Sequence, residues 1–213
     1  MKIITLADLR RWDACCDDAE LISMARRLRC RHGITPLRLA RSRSVTEDDR
    51  IWSLLRPEVL GEQFIPLLCR YVDRAAGHAA VSLDIAGLGD HAARLRAMQP
   101  VTHEALAAIE DAGRTAAGAA GRTAAGAAAW DVAMAARSTA RCAVWWAWFA
   151  RDEARDEAGA AWCSAREARE AAWFAAGYAA GHARDFSGGA ARAVETRWQL
   201  RLLAQVLEEA RDE

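Results

Sequence analysis

Apolar residues along the first hundred positions recur every three or four, the period of helices with one buried face. Ile3–Leu9 opens either as a short strand or as the lead into a first helix, with Asp8 or Asp13 as its cap. Cys16–Arg31 predicts a helix with Leu21, Met24, Ala25 and Leu28 on its core face. His32-Gly33 ends it, because glycine suits the backbone just past a helix. Thr35-Pro36 opens the next segment. Thr46-Glu47-Asp48-Asp49 has the form of a capping box, with Asp49 in place of the usual Glu and Ile51, Trp52, Leu54 and Leu55 following as an apolar face. Pro57 ends or offsets that helix. Glu58–His78 predicts another, with Leu60, Phe64, Leu67, Leu68, Tyr71, Val72 and Ala75 in phase, and Pro66 either kinking it or sitting in its first turn. Gly87, Gly89 and Pro100 interrupt 82–103, leaving a short helix around His91–Met98.

The pattern then changes. From about Ala105 to Ala193 the chain is alanine-rich, lacks proline, and carries Trp130, Trp145, Trp146, Trp148, Trp162 and Trp173. Alanine is the strongest helix former, and tryptophan supplies the buried area that alanine lacks. On one unbroken helix Trp130, Trp148, Trp162 and Trp173 fall within about 40° of one another, a core stripe, whereas Trp146 lies about 160° from Trp148. Trp146 is then either exposed or buried against a second neighbour. Gly159, Gly177, Gly181 and Gly188-Gly189 are possible breaks. Residues 113–120 repeat in tandem at 121–128 as GRTAAGAA, and four glycines in that span weaken a helix. The last predicted helix, Ala190–Glu209, has Val194, Trp198, Leu202 and Val206 or Leu207 as its buried stripe.

These elements predict an all-α fold, a multi-helix bundle or helical array with long Ala-rich, Trp-punctuated helices. Residues 1–100 form an N-terminal helical region. Residues 101–213 form an Ala/Trp-rich region packing on it, because alanine-rich helices lack enough large residues for a core of their own. The two are expected to make one structural unit.

Charge narrows the function. The 29 basic and 29 acidic residues cancel, which argues against a general nucleic-acid binder. A local basic cluster remains: Arg26, Arg27, Arg29, Arg31, Arg38, Arg41 and Arg43. It reads as a solvated, ion-paired helix face. Met1–Ala14 holds too short an apolar run for a secretory signal, and no stretch approaches the roughly 18 apolar residues of a membrane span. A cytoplasmic location is therefore expected, with no membrane partner. The six cysteines then read as reduced, small buried hydrophobes, and no Cys or His pair has metal-ligand spacing.

No nucleotide-binding, nucleophile-elbow or zinc-protease pattern is present. Asp17-Asp18, Asp48-Asp49 and Glu208-Glu209 sit at presumed helix ends and read as solvated charges, the last pair unfavourable to the helix dipole. The expectation is a protein that is not an enzyme, with no catalytic residues, cofactor or metal.

Four stretches carry a family likeness: Leu9–Cys16 (LRRWDACC), Asp49–Arg70 (DRIWSLLRPEVLGEQFIPLLCR), Ala107–Glu110 (AAIE) leading into AAWDVAMAAR at 128–137, and Glu195–Leu207 (ETRWQLRLLAQVL). In this order they resemble the alanine- and tryptophan-rich immunity-protein family of bacteria and some of their phages. The glycine-rich tandem repeat departs from that family, which runs on in Ala, Arg, Asp and Trp. The resemblance implies an immunity protein that binds and neutralises a cognate protein toxin. Trp146 and Trp148 with Arg151 are the candidate contact patch, because aromatic and Arg side chains anchor interfaces. Zero net charge tilts against a nuclease toxin, whose inhibitors are often acidic. Two other readings stay open. One is a self-assembling helical component, a homo-oligomer of phage origin; the other is an enzyme or small-ligand binder with a pocket between helices.

Overall fold

The computed structural model describes residues 3–11, 23, 26, 32–122, 133, 134, 137 and 188–212. The fold is all-α. Among the described residues there is no strand, only a single antiparallel bridge between Ile4 and Ile34, with N–H to carbonyl distances of 2.9 and 2.8 Å. The chain divides into two compact units. The first comprises 1–64, 156–162 and 196–213; the second comprises 65–155 and 163–195. Pro100 lies within the second unit.

In the first unit, Ile4 makes the bridge and α1 (Leu6–Arg11) follows at once. Its cap is Thr5, not Asp8. The Thr5 hydroxyl accepts from the Asp8 N–H at 3.2 Å, while the Asp8 carboxylate accepts from the Thr5 N–H at 2.9 Å and the hydroxyl at 2.7 Å. This is a reciprocal box that satisfies two otherwise unpaired donors. Asp13 and most of Cys16–Arg31 lie outside the described residues; Ser23 and Arg26 are helical.

Gly33 has φ +111, so the chain turns there before Ile34 returns to Ile4. Thr35 caps α2 (Pro36–Ala40), accepting from the Arg38 N–H at 3.4 Å, with Pro36 in the first turn. Thr46 caps α3 (Glu47–Leu54) through the predicted box: its hydroxyl accepts from the Asp49 N–H at 3.2 Å and donates to the Asp49 carboxylate at 2.6 Å. α2 packs on α3, and Arg50 ties them by donating to the Ala40 carbonyl at 2.9 Å. Leu37, Leu39, Ile51, Leu54 and Leu55 are buried. Each such side chain contributes roughly 1.5–3 kcal/mol on burial.

The single helix predicted over Glu58–His78 is interrupted. α4 (Pro57–Leu60) passes into a 3-10 turn (Gly61–Gln63), and only then does α5 (Phe64–Ile85) begin. Gly61 sits at φ +54, a left-handed backbone that no regular helix contains. Pro66 falls in the first turn of α5, where its missing N–H costs nothing.

The last helix, α8, runs Gly188–Asp212. Its buried face matches the predicted stripe in the C-terminal half, where Leu202, Val206 and Leu207 are buried, and departs from it before that. Val194 is 55% exposed, and Trp198 is half-buried. Thr196, Gln199, Leu200 and Leu203 are buried in their place, at spacings of three and four. Two polar residues, Thr196 and Gln199, thus occupy a face that hydrophobicity alone would not select.

In the second unit, α5 buries Leu67, Leu68, Tyr71, Val72, Ala75, Ala76, Ala79, Ala80 and Leu83. The unbroken burial explains why the helix continues past His78 to Ile85. Gly87, at φ +75, ends the segment, and α6 (Gly89–Arg96) packs on α7 (Leu106–Ala120). Exposed ion pairs, Arg96 with Asp84 and Arg94 with Asp111, fasten α6 to its neighbours. The first copy of the tandem repeat is helical, and the helix ends at Gly121, within the glycine-bearing span expected to weaken it. The second copy opens in a turn at Gly121–Arg122, and the rest of it lies outside the described residues. Apart from Leu106 and Ile109, the buried face of α7 is alanine and glycine. Dispersion falls off steeply with separation, so such a face stabilises only if its neighbour comes very close. Gly113 permits this: a Cβ there would lie 3.0–3.1 Å from Arg137 backbone and Cβ atoms.

His78 of α5 gives this unit a pH dependence. Its Nε2 is buried and has no hydrogen-bond partner among the described residues. Burial, and then the charge of Arg74, hold its pKa below the ordinary 6.5. Below that value the unfolded chain takes up a proton that the folded chain resists, so stability is complete above it and falls as the pH drops through it. We expect the melting temperature to decline between pH 7 and pH 5, and His78→Gln to decline less. Equal slopes would contradict this assignment. Asp84, Glu104 and Asp111 are all held below the ordinary carboxylate range, by Arg96, by the Glu104 backbone N–H with Thr102, and by Arg114 with Arg94 respectively. Their contribution is lost only at more acid pH.

Candidate functional site

Two places in the described structure collect polar chemistry, one in each unit. In the first unit, Arg38, Arg41 and Arg43 are exposed on α2 and the turn after it. The Arg41 guanidinium pairs with the Glu208 carboxylate of α8, a residue 167 positions away in sequence. Both side chains stay in solvent, at 62% and 39% exposure, so the pair contributes little to stability. Its interest is positional: it joins the arginine cluster to a helix that carries Arg197 and Arg201, both also exposed. Glu208 is thus a solvated charge, as expected, and also the partner of a distant arginine. Glu209 accepts from the Gln205 amide at 2.8 Å.

In the second unit, the first turns of α5 and the loop 100–103 enclose a cleft of about 370 Å³. Ile65, Pro66, Cys69, Pro100 and Val101 give it apolar walls; Arg70, Asp73, Thr102 and His103 supply the polar ones. Asp73 fixes the loop from both sides. Its carboxylate accepts from the Val101 N–H at 3.1 Å, and its backbone carbonyl accepts from the Gln99 amide at 2.7 Å, across the cis Gln99–Pro100 bond. The thiol of Cys69 is pushed up to about 11 by burial and by the Glu104 charge, so it stays protonated at neutral pH and is no nucleophile. Cys69 therefore behaves as the small buried hydrophobe that the sequence predicts; the other five cysteines lie outside the described residues. The cleft can bind an apolar group, but its thiol is not poised to react.

Trp146, Trp148 and Arg151, the predicted contact patch, lie outside the described residues, as do the other tryptophans of the 130–173 stripe. Of the predicted arginine cluster, Arg26, Arg38, Arg41 and Arg43 are exposed, and Arg27, Arg29 and Arg31 fall outside the description. Asp73 carried no signal in the sequence, and Glu208 was visible only as half of an acidic pair, because each acts through a residue far along the chain. Among the described residues no group of three His, Cys, Asp or Glu side chains is placed to hold a metal ion, and no helix is long and apolar enough to cross a membrane. No family model, curated protein or solved structure matches the chain.

Proposed function

We propose that this chain is an immunity protein, an all-α binder that neutralises a toxin domain made by the same cell. The observation that carries the reading is the ordered resemblance of Leu9–Cys16, Asp49–Arg70, Ala107–Glu110 with 128–137, and Glu195–Leu207 to the alanine- and tryptophan-rich immunity family. Two of these stretches carry much of the described core. Asp49–Arg70 buries Ile51, Leu54, Leu55, Val59, Leu60, Phe64, Leu67 and Leu68, and Glu195–Leu207 buries Leu200, Leu203, Val206 and Leu207. The likeness thus lies in residues that make the scaffold, while the toxin is met by residues on its surface.

The mechanism is steric occlusion. An inhibitory interface of about 1,600 Å² in total, centred on a few aromatic or arginine anchors, covers the toxin's working surface. Trp146 and Trp148 are its aromatic anchors, with Arg151 as a cationic one. No cofactor or metal enters this mechanism, and the protein acts inside the cell that makes the toxin. Light scattering over a hundredfold concentration range tests the reading at the level of assembly. We expect a constant mass of a monomer or dimer. A mass climbing into large defined particles would replace inhibition by a self-assembling structural role.

A further inference from the structure

The Arg41–Glu208 pair brings together two arginine-bearing elements that sequence keeps far apart. On α8, Arg201 stands seven residues before Glu208, which places it on nearly the same line of the helix and about 10 Å along its axis. Arg43 stands two residues beyond Arg41, within about 7 Å along the chain. Arg43 and Arg201 are both exposed, and neither makes an ion pair or hydrogen bond with a described residue. The ridge from Arg201 through Glu208 and Arg41 to Arg43 therefore spans on the order of 20 Å, which fits within one partner's share, about 800 Å², of a standard interface.

We infer that this ridge is an interaction surface for an acidic face of a partner protein. The inference rests on the immunity reading and identifies the chemistry of the surface the toxin presents. Three features select an acidic protein. Guanidinium groups recognise carboxylates through paired N–H donors and are enriched at interface cores. They are supplied almost without lysine, since Lys2 is the only one in the chain. Glu208 stands within the ridge, where it opposes an unbroken line of phosphates but can face a basic group on a protein surface. A nucleic-acid-cleaving toxin needs a basic groove for its substrate, and such a groove would be repelled here.

The test uses the full chain in the source strain. A strain lacking the gene is grown in contact with its parent, complemented either with the wild-type gene or with R43E/R201E. Wild type should restore survival, and the charge-reversed variant should lower surviving cells by at least about tenfold, as expected when like charges face across an interface. R43Q/R201Q should fall between them. The variants should melt with the wild type, because both side chains are exposed. If R43E/R201E protects as well as wild type, the ridge is not the interface and the immunity reading stands. If wild type gives no protection against a parent that kills the deletion strain, the immunity reading itself fails. Binding of a short DNA or RNA duplex by wild type, abolished in R43E/R201E, would assign the ridge to phosphates and overturn an acidic protein partner.

Discussion

Replacing Gly33 with alanine is expected to destabilise the first unit by about 2–4 kcal/mol, combining a left-handed backbone penalty with overpacking. The backbone at Gly33 has φ +111, where an L side chain is strained. A Cβ there would lie 2.5 Å from Ile3 Cγ2 and 2.7 Å from the Ile4 carbonyl oxygen. Ile3 is half exposed and its side chain can turn away. The Ile4 oxygen cannot, because it accepts the Ile34 N–H at 2.8 Å and holds the bridge that starts the fold. Urea unfolding measures the change. A loss smaller than about 0.5 kcal/mol, the range of ordinary surface substitutions, would mean that this turn does not pin the N-terminus.

Gly113 and Gly118 stand in the same repeat copy on the same helix, yet alanine is expected to act on them with opposite sign. Helix propensity favours alanine over glycine by up to about 1 kcal/mol at either position. At Gly118 nothing opposes that gain, since a Cβ would meet only the end of the flexible Arg122 side chain at 3.8 Å. Gly118→Ala should therefore stabilise by about 0.5–1 kcal/mol. At Gly113 a Cβ would press on the N, Cα and Cβ atoms of Arg137 at 3.0–3.1 Å, a contact relieved only by moving backbone. Overpacking of about 1–3 kcal/mol outweighs the propensity term, for a net loss of up to about 2 kcal/mol. If both substitutions raise the unfolding midpoint, the close approach at Gly113 is wrong.

What the sequence made legible was local. Thr35-Pro36 and the Thr46–Asp49 box each depend on residues within one turn of one another, and both appear as expected. The α5 face from Leu67 to Ala75 followed from spacing alone. The departures arise where a backbone angle or a distant partner decides. Gly61 breaks an otherwise uninterrupted hydrophobic period because it adopts φ +54. Thr5 rather than an aspartate caps α1, because Asp8 serves better as the reciprocal acceptor one turn in. Val194 is exposed while Thr196 and Gln199 are buried, a rotation of the α8 face set by its surroundings and not by its own hydrophobicity. Glycine in the first repeat copy lowers propensity but admits Arg137, so packing overrides composition.

The candidate surface was less legible than the fold. The arginine cluster was visible as composition, but its link to α8 joins residues 167 positions apart, and no periodicity reports such a contact. The predicted patch at Trp146, Trp148 and Arg151 followed from residue type alone, in an alanine-rich stretch beyond the described residues.

Immunity means that this protein shields its own cell, and contact competition measures that directly. Parent and gene-deleted cells are mixed on a surface, and surviving deletion cells are counted with and without a plasmid-borne copy of the gene. Deletion cells are expected to die beside their parent, and the wild-type gene to restore their number. Deletion cells that survive equally well without the gene, beside a parent that never needs it, would contradict the immunity reading.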